Sequence, residues 1–316
     1  MKKIKIIFFG TPDFAVKSLK VINDNFEVLC VVTSPDKKSG RGQKIHESEV
    51  KKFSSQNNLT IKQPNDLKNN HFIDEISSLN ADMFIVVAFR KLPKEVFSIP
   101  PQGTINLHAS LLPDYRGAAP INWALINNEK ITGVTTFFID ERVDYGDIIL
   151  TEEVVINDDD DFGSLYNKLS NIGSKILLKT IKVVASGKAM IYKQVENQNL
   201  NIAPKLNQGN TRINWDDSTD KIIGMIKGLS PIPGSWTILE NGDKKIRLKI
   251  LKASIINKTT YNDSAIGKVT VINNEIHINT KDGTLNCMKI QLENKKDMPI
   301  KDLLNGFKFN ENSRVY

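Results

Sequence analysis

Two cysteines in 316 residues, Cys30 and Cys287, lie far apart and form neither a redox pair nor a metal-binding repeat. Their scarcity points to a reduced, cytoplasmic protein. No apolar run approaches the roughly 18–20 residues of a membrane span; the longest candidates are Ile4–Phe9 and Met83–Phe89. The opening MKKIKIIFFGTPDF has the basic start of a signal peptide. Its apolar stretch is short and runs into Gly-Thr-Pro-Asp with no small-residue cleavage site, so it reads as a first buried strand. Phe9-Gly10-Thr11-Pro12 has one glycine and lacks the pyrophosphate fingerprint G-x-G-x-x-G, which argues against a nicotinamide cofactor. Ser39-Gly-Arg-Gly-Gln-Lys44 lacks the spacing of a phosphate-binding P-loop. No G-x-S-x-G elbow makes Ser110 a nucleophile. His46, His71 and His277 are isolated, without metal-ligand spacing, so no metal is expected.

What is present is an ordinary globular composition, 40% hydrophobic and 25% charged, long enough for two domains. The net charge of +7 is unevenly spread. Residues 1–188 carry 24 Lys and Arg against 23 Asp and Glu, whereas residues 189–316 carry 19 against 13. A basic balance confined to one segment suits a polyanion, nucleic acid being the commonest, although 36 of the 43 basic residues are Lys and such richness also follows genome composition.

The first half alternates buried strands with amphipathic helices. Ile4–Phe9, Glu27–Thr33, Met83–Phe89 and Thr104–Leu107 read as strands, and Phe14–Ile22, Val50–Gln56 and Phe72–Leu79 as helices. A βαβ series of this kind builds a mostly parallel sheet whose ligands bind beyond the carboxyl ends of the strands. A helix near Ala119–Asn127, strands Gly133–Ile139 and Ile148–Ile156, and a long helix within Phe162–Ala185 follow. Residues 190–208 are polar and aperiodic and read as a linker. Beyond them a helix near Thr219–Lys227 and short alternating segments parted by Asn-Gly, Asn-Asn and Asp-Gly turns predict a small β-structure. The expected fold is therefore α/β: a Rossmann-like, mostly parallel sheet domain over 1–189, then a small β-barrel (OB-like) or sandwich over 209–316.

The segment Gly103–Pro120 carries the most chemistry. Strand alternation puts Asn106 and His108 on one face, roughly 7 Å apart, at the end of the strand where a parallel sheet meets its ligand. Asn can donate to a developing oxyanion and His exchanges protons near neutral pH; a satisfied structural histidine beside a strand-ending Asn fits the same pattern. The acidic loop Ile139–Asp147 offers a carboxylate such as Asp144, which beside His108 would favour the imidazolium and fix the ring, or is a solvated turn. The loop Asp36–Lys52, with six basic and three acidic residues around two glycines, is an exposed surface loop that could contact phosphates.

Asn106-Leu-His108, Ser110-Leu-Leu-Pro113 and Asp144-x-Gly-Asp147 together resemble the folate-dependent formyltransferases that use 10-formyltetrahydrofolate. Phe9–Ala15, Ser34-Pro-Asp36 leading to Gly40-Arg-Gly42, Arg116-Gly-Ala-Ala-Pro-Ile121, Ser230–Trp236 and Asp302–Gly306 extend the resemblance almost end to end, toward the branch whose acceptor is initiator methionyl-tRNA. The resemblance implies Asn106, His108 and Asp144 as a catalytic trio. It implies folate contacts at Phe89, Arg90, Ser110, Leu111, Leu112, Pro113 and Asp140, and tRNA contacts at Lys37, Lys38, Arg41, Lys44, Lys205, Lys244 and Lys245. The folate is a co-substrate and no tightly bound cofactor is implied; the expected working form is a monomer. This sequence departs from the family pattern at Phe89-Arg90, where Tyr-Gly is common, at Arg142 and Tyr145, where Gly and Thr are usual, and at Ile232, which replaces Trp. The alternatives are a related folate enzyme, either a formyltetrahydrofolate hydrolase or a formyltransferase acting on nucleotide-linked amino sugars, and a silent RNA-binding protein on the same sheet.

Overall fold

A computed structural model describes residues 3–39, 44–195, 199–263 and 265–316. Contacts divide the chain into two units: residues 1–120, 131–155 and 166–202, and residues 121–130, 156–165 and 203–316. The first unit is a seven-stranded sheet. In chain order it holds β1 (Lys5–Gly10), α1 (Asp13–Asn25), β2 (Glu27–Val32), β3 (Lys37–Ser39), β4 (Lys44–His46), α2 (Glu49–Gln56), β5 (Ile61–Lys62), α3 (Asn70–Ser78), β6 (Met83–Val87), α4 (Lys94–Phe97), β7 (Thr104–His108), β8 (Arg116–Gly117), β9 (Ile131–Phe138) and β10 (Ile148–Val155). Two helices, α5 (Pro120–Ile126) and α6 (Phe162–Ala185), run across the boundary between the units. The order across the sheet is β10-β9-β7-β6-β1-β2-β5. β5, β2, β1, β6 and β7 are parallel, and β9 joins antiparallel to β7. This is the mostly parallel sheet that the βαβ reading predicts.

The central strands are covered on both faces, which is why they read as continuous apolar runs. Ile6, Ile7, Phe8 and Phe9 of β1 and Phe84 and Ile85 of β6 are fully buried. Gly10 ends β1 at a packed turn, where a Cβ would meet Phe8, Ala15 and the Val87 carbonyl. The helices start on sequence-encoded caps: Ser48 accepts from the Lys51 N–H, and Asn69 from the Phe72 N–H. α6 stops at Gly187, φ +69°, whose N–H and that of Lys188 satisfy the Val184 and Val183 carbonyls.

The glycine-rich segment 36–52 differs from a plain loop. β3 and β4 form a short antiparallel hairpin, Lys37 opposite His46 and Ser39 opposite Lys44. Its base is anchored because Asp36 accepts from Lys51 and Gln63, contacts that hold its carboxyl below the usual range.

The second unit is an antiparallel barrel. Continuing the numbering past the two-residue β11 (Ile202–Ala203), it contains α7 (Thr219–Leu229), β12 (Ser235–Asn241), β13 (Lys244–Asn257), β14 (Val269–Ile272), β15 (Glu275–Asn279), β16 (Thr284–Leu292), β17 (Met298–Pro299), α8 (Ile300–Leu304) and β18 (Arg314–Val315). The strand order β14-β15-β16-β13-β12-β18 nearly closes on itself, because Val315 and Val269 N–H groups donate to the Gly267 and Ser313 carbonyls. α7 contributes Ile222, Ile223 and Ile226 to the apolar interior, with Leu248, Ile250, Ile276, Ile278, Leu285 and Ile290 from the strands. Cys30 and Cys287 are each buried in one of the two cores, and desolvation pushes both thiols up to about 12, so neither is a thiolate near neutral pH. No helix among the described residues is long and apolar enough to cross a membrane.

Candidate active site

β7 sits between β6 and β9 and ends at His108, with Thr135 of β9 directly opposite. His108 is 7% exposed. Its Nε2 lies 2.8 Å from the Tyr115 carbonyl, which can only accept, so Nε2 donates. Nδ1 faces Asp144 Oδ2 at 3.8 Å. The two separate candidates, a strand histidine and a carboxylate from the later loop, are therefore brought together. Asn106, two residues earlier on the same strand face, is half-buried, and among the described residues nothing hydrogen-bonds its carboxamide.

The loop that delivers Asp144 is stitched at both ends to the sheet. Ile139 N–H donates to the Thr104 carbonyl where the loop leaves, and Phe138 N–H donates to the Asp147 carbonyl where it returns. Asp144 adopts φ +61°, and its Oδ2 accepts from the Gly117 N–H at 3.0 Å. Its carbonyl accepts from Arg116 Nε at 3.1 Å and Gln194 Nε2 at 3.0 Å. Gln194 also donates to the Gly146 carbonyl at 2.8 Å, while its Oε1 accepts from Arg116. The Arg116 guanidinium lies 3.6 Å from the centre of the Tyr145 ring, and Arg142 lies 4.3 Å from the same centre.

Ser110 to Pro113 form the turn after β7. Ser110 is fully buried and donates through Oγ to the Asp114 carbonyl at 2.7 Å, Leu112 is buried, and Leu111 and Pro113 are half-buried, the Leu112–Pro113 bond being cis. Thr135 Oγ1 holds this turn, donating to the Ser110 carbonyl at 2.7 Å and accepting from the Leu112 N–H at 3.1 Å. Thr135→Val fills the same volume but strands both backbone groups in a buried site. It is expected to cost about 1–3 kcal/mol of stability, read as a lower denaturant midpoint at unchanged m.

Phe89 packs edge-on against Phe9, centroids 5.7 Å apart. Arg90 is exposed and donates to the Asn65 carbonyl at 2.8 Å and to the Pro64 carbonyl. It borders a cavity of about 640 Å³ lined also by Leu67, Lys68, Lys91, Lys94 and Glu141. Asp140 accepts from the Arg142 N–H at 2.8 Å. Lys37, Lys205, Lys244 and Lys245 are exposed, Lys38 and Lys44 lie in the β3–β4 hairpin, and Arg41 falls outside the described residues. Tyr115, Arg116 and Gln194 are the members of this constellation that sequence reading assigned no role. In the sequence Arg116 stands out only as part of a motif, and Gln194 sits in an aperiodic stretch with no signal to find it.

A formyl transferase family model matches residues 2–181, and a formyl transferase C-terminal domain model matches residues 205–308. The methionyl-tRNA formyltransferase of Flavobacterium johnsoniae is 45% identical over the whole of both chains. This chain belongs to the methionyl-tRNA formyltransferase family. Another member, from Thermodesulfovibrio yellowstonii, is 44% identical over 97% of each chain. The formyl transferase also shares its fold with an N-formyltransferase from Helicobacter canadensis solved with folinic acid and dTDP-3-aminofucose, at a TM-score of 0.66 and 22% identity over 90% of this chain and 98% of that one. HypX from Aquifex aeolicus, solved with tetrahydrofolic acid, matches at a TM-score of 0.62 and 17% identity over 98% of this chain and 49% of that one.

Proposed function

We propose that this formyl transferase moves the formyl group of 10-formyltetrahydrofolate to the α-amino group of initiator methionyl-tRNA, using Asn106, His108 and Asp144. The arrangement that carries the reading is the 3.8 Å approach of His108 Nδ1 to Asp144 Oδ2 on the strand face that also holds Asn106. The neutral amine attacks the formyl carbon, a C–N bond forms, and the carbonyl electron pair moves onto oxygen. Asn106 donates to that oxyanion, and the charged His108 ring stabilises it. The 3.8 Å separation exceeds a hydrogen bond, so the Nδ1 proton is available to a substrate atom while Asp144 keeps the ring oriented. The tetrahedral centre collapses as the C–N10 bond breaks. N10 leaves with that pair and takes the proton shed by the attacking nitrogen, a movement Asp144 assists, giving formyl-methionyl-tRNA and tetrahydrofolate.

The unit built on the parallel sheet performs this chemistry, with Phe89, Arg90, the Ser110–Pro113 turn and Asp140 meeting the folate. The β3–β4 hairpin meets the acceptor end, and exposed lysines of the barrel unit hold phosphates. The reaction belongs in the cytoplasm and needs one copy of the chain.

The direct test supplies 10-formyltetrahydrofolate with initiator or elongator methionyl-tRNA and measures formylated product. Transfer to the initiator species is expected; equal transfer to free methionine, or none to initiator tRNA, overturns the reading. Replacing Lys205, Lys244 and Lys245 with alanine is expected to weaken tRNA binding and to flatten the dependence of log K on log salt by about 1 for each lysine that meets a phosphate. The rate at saturating tRNA should stay near wild type. An unchanged salt slope removes those lysines from the interface.

A further inference from the structure

Asp144 is held in an uncommon conformation, and the groups that hold it have no part in the reaction as described above. At φ +61° the residue is in the left-handed region, which few non-glycine residues adopt. Such a conformation persists only when its surroundings over-determine it. The surroundings here are two side chains from distant points of the chain.

Gln194 uses both ends of its amide. Its Nε2 donates to the carbonyls of Asp144 and Gly146, at 3.0 and 2.8 Å, bridging the two residues of the turn. Its Oε1 accepts from Arg116 Nε at 3.0 Å and Nη2 at 2.5 Å. Arg116 Nε also reaches the Asp144 carbonyl at 3.1 Å, and its guanidinium plane is fixed by the Tyr145 ring 3.6 Å away. The next residue, Gly117, donates its N–H to the Asp144 carboxylate itself. The main chain of Asp144 is thus gripped by Gln194 and Arg116, and its side chain is aimed between the Gly117 N–H and the His108 ring.

We propose that Gln194 and Arg116 are positioning residues that act through Asp144, setting the distance between its carboxylate and His108; the inference rests on the catalytic reading of Asp144 above. Chemistry limits what can stand at 194. A carboxylate of the same length keeps the Arg116 pairing but has no N–H for the two carbonyls, an asparagine is one methylene too short, and an apolar residue does neither.

The test uses the full chain with 10-formyltetrahydrofolate and initiator methionyl-tRNA. It measures kcat and both KM values for Gln194→Ala and Gln194→Glu, each in the wild-type and the Asp144→Ala backgrounds. In the wild-type background kcat is expected to fall about tenfold to hundredfold, as a misplacement near 1 Å produces, with both KM values held. Gln194→Glu should lose as much despite its ion pair with Arg116, and it covers an alanine variant that does not fold. In the Asp144→Ala background either change should cost nothing further, because the group they position is gone. Wild-type kcat in both Gln194 variants overturns the inference. The same fold-loss in both backgrounds also overturns it, marking Gln194 as a structural support only. If Asp144→Ala itself turns over at the wild-type rate, the catalytic reading of Asp144 has failed and the inference falls with it, an outcome distinct from the other two.

Discussion

His108→Ala is expected to lower kcat by about two to four orders of magnitude, the range over which positioned proton exchange contributes. Folate binding should be retained, since the ring is 7% exposed and its described contacts are to Tyr115 and Asp144. Removing the imidazole deletes a group poised between the Tyr115 carbonyl and the Asp144 carboxylate on the face shared with Asn106. It also removes the 2.8 Å hydrogen bond from Nε2 to the Tyr115 carbonyl, a net loss of about 0.5–1.5 kcal/mol that unfolding by denaturant would register. The decisive comparison is turnover at saturating substrates against folate affinity measured by titration. A variant that binds folate and turns over at the wild-type rate removes His108 from the chemistry, and with it the argument for the trio.

Strand alternation made this half of the site legible in advance. A five-residue strand with apolar residues at Ile105 and Leu107 leaves Asn106 and His108 no face but the other, and β7 spans all four of these residues. Residue chemistry left Asp144 as one carboxylate among several until the family motif singled it out, because the approach of a loop to a strand is set by tertiary hydrogen bonds. Those bonds run largely to backbone: the Tyr115 carbonyl under His108, and the Asp144 and Gly146 carbonyls under Gln194. A backbone carbonyl has no residue type, so its partners carry no mark in the sequence. The barrel shows a second kind of loss. β13 spans Lys244–Asn257, yet the alternation that reveals a strand is clear only over Ile246–Leu251. Register shifts after Ile250 and around Lys252 break the two-residue period, and Ile250 and Leu251 are buried in succession. The β3–β4 hairpin was hidden for a related reason, since two three-residue strands around glycines offer too few positions for any period to appear.

Gly146→Ala is the change expected to damage the site most without touching a reacting group. A Cβ built at Gly146 falls 1.6 Å from the Phe138 carbonyl oxygen and 2.8 Å from its carbon, and 3.4 Å from the Asp140 nitrogen. The obstacle is main chain at the end of β9, and that strand cannot yield. Phe138 N–H is bonded to the Asp147 carbonyl beside the glycine, and Ile139 N–H to Thr104 of β7. The loop must therefore move, carrying Asp144 with it and pulling the Asp144 and Gly146 carbonyls away from Gln194. Turnover is expected to fall about a hundredfold, the cost of an ångström of misplacement, and stability by about 1–3 kcal/mol from the forced backbone shift. Gly306→Ala supplies the control, because nothing lies within 4 Å of its Cβ, and it should leave both quantities near wild type. Wild-type kcat in Gly146→Ala would mean that the loop relaxes without displacing the carboxylate, so that the 3.8 Å approach to His108 tolerates movement at its base.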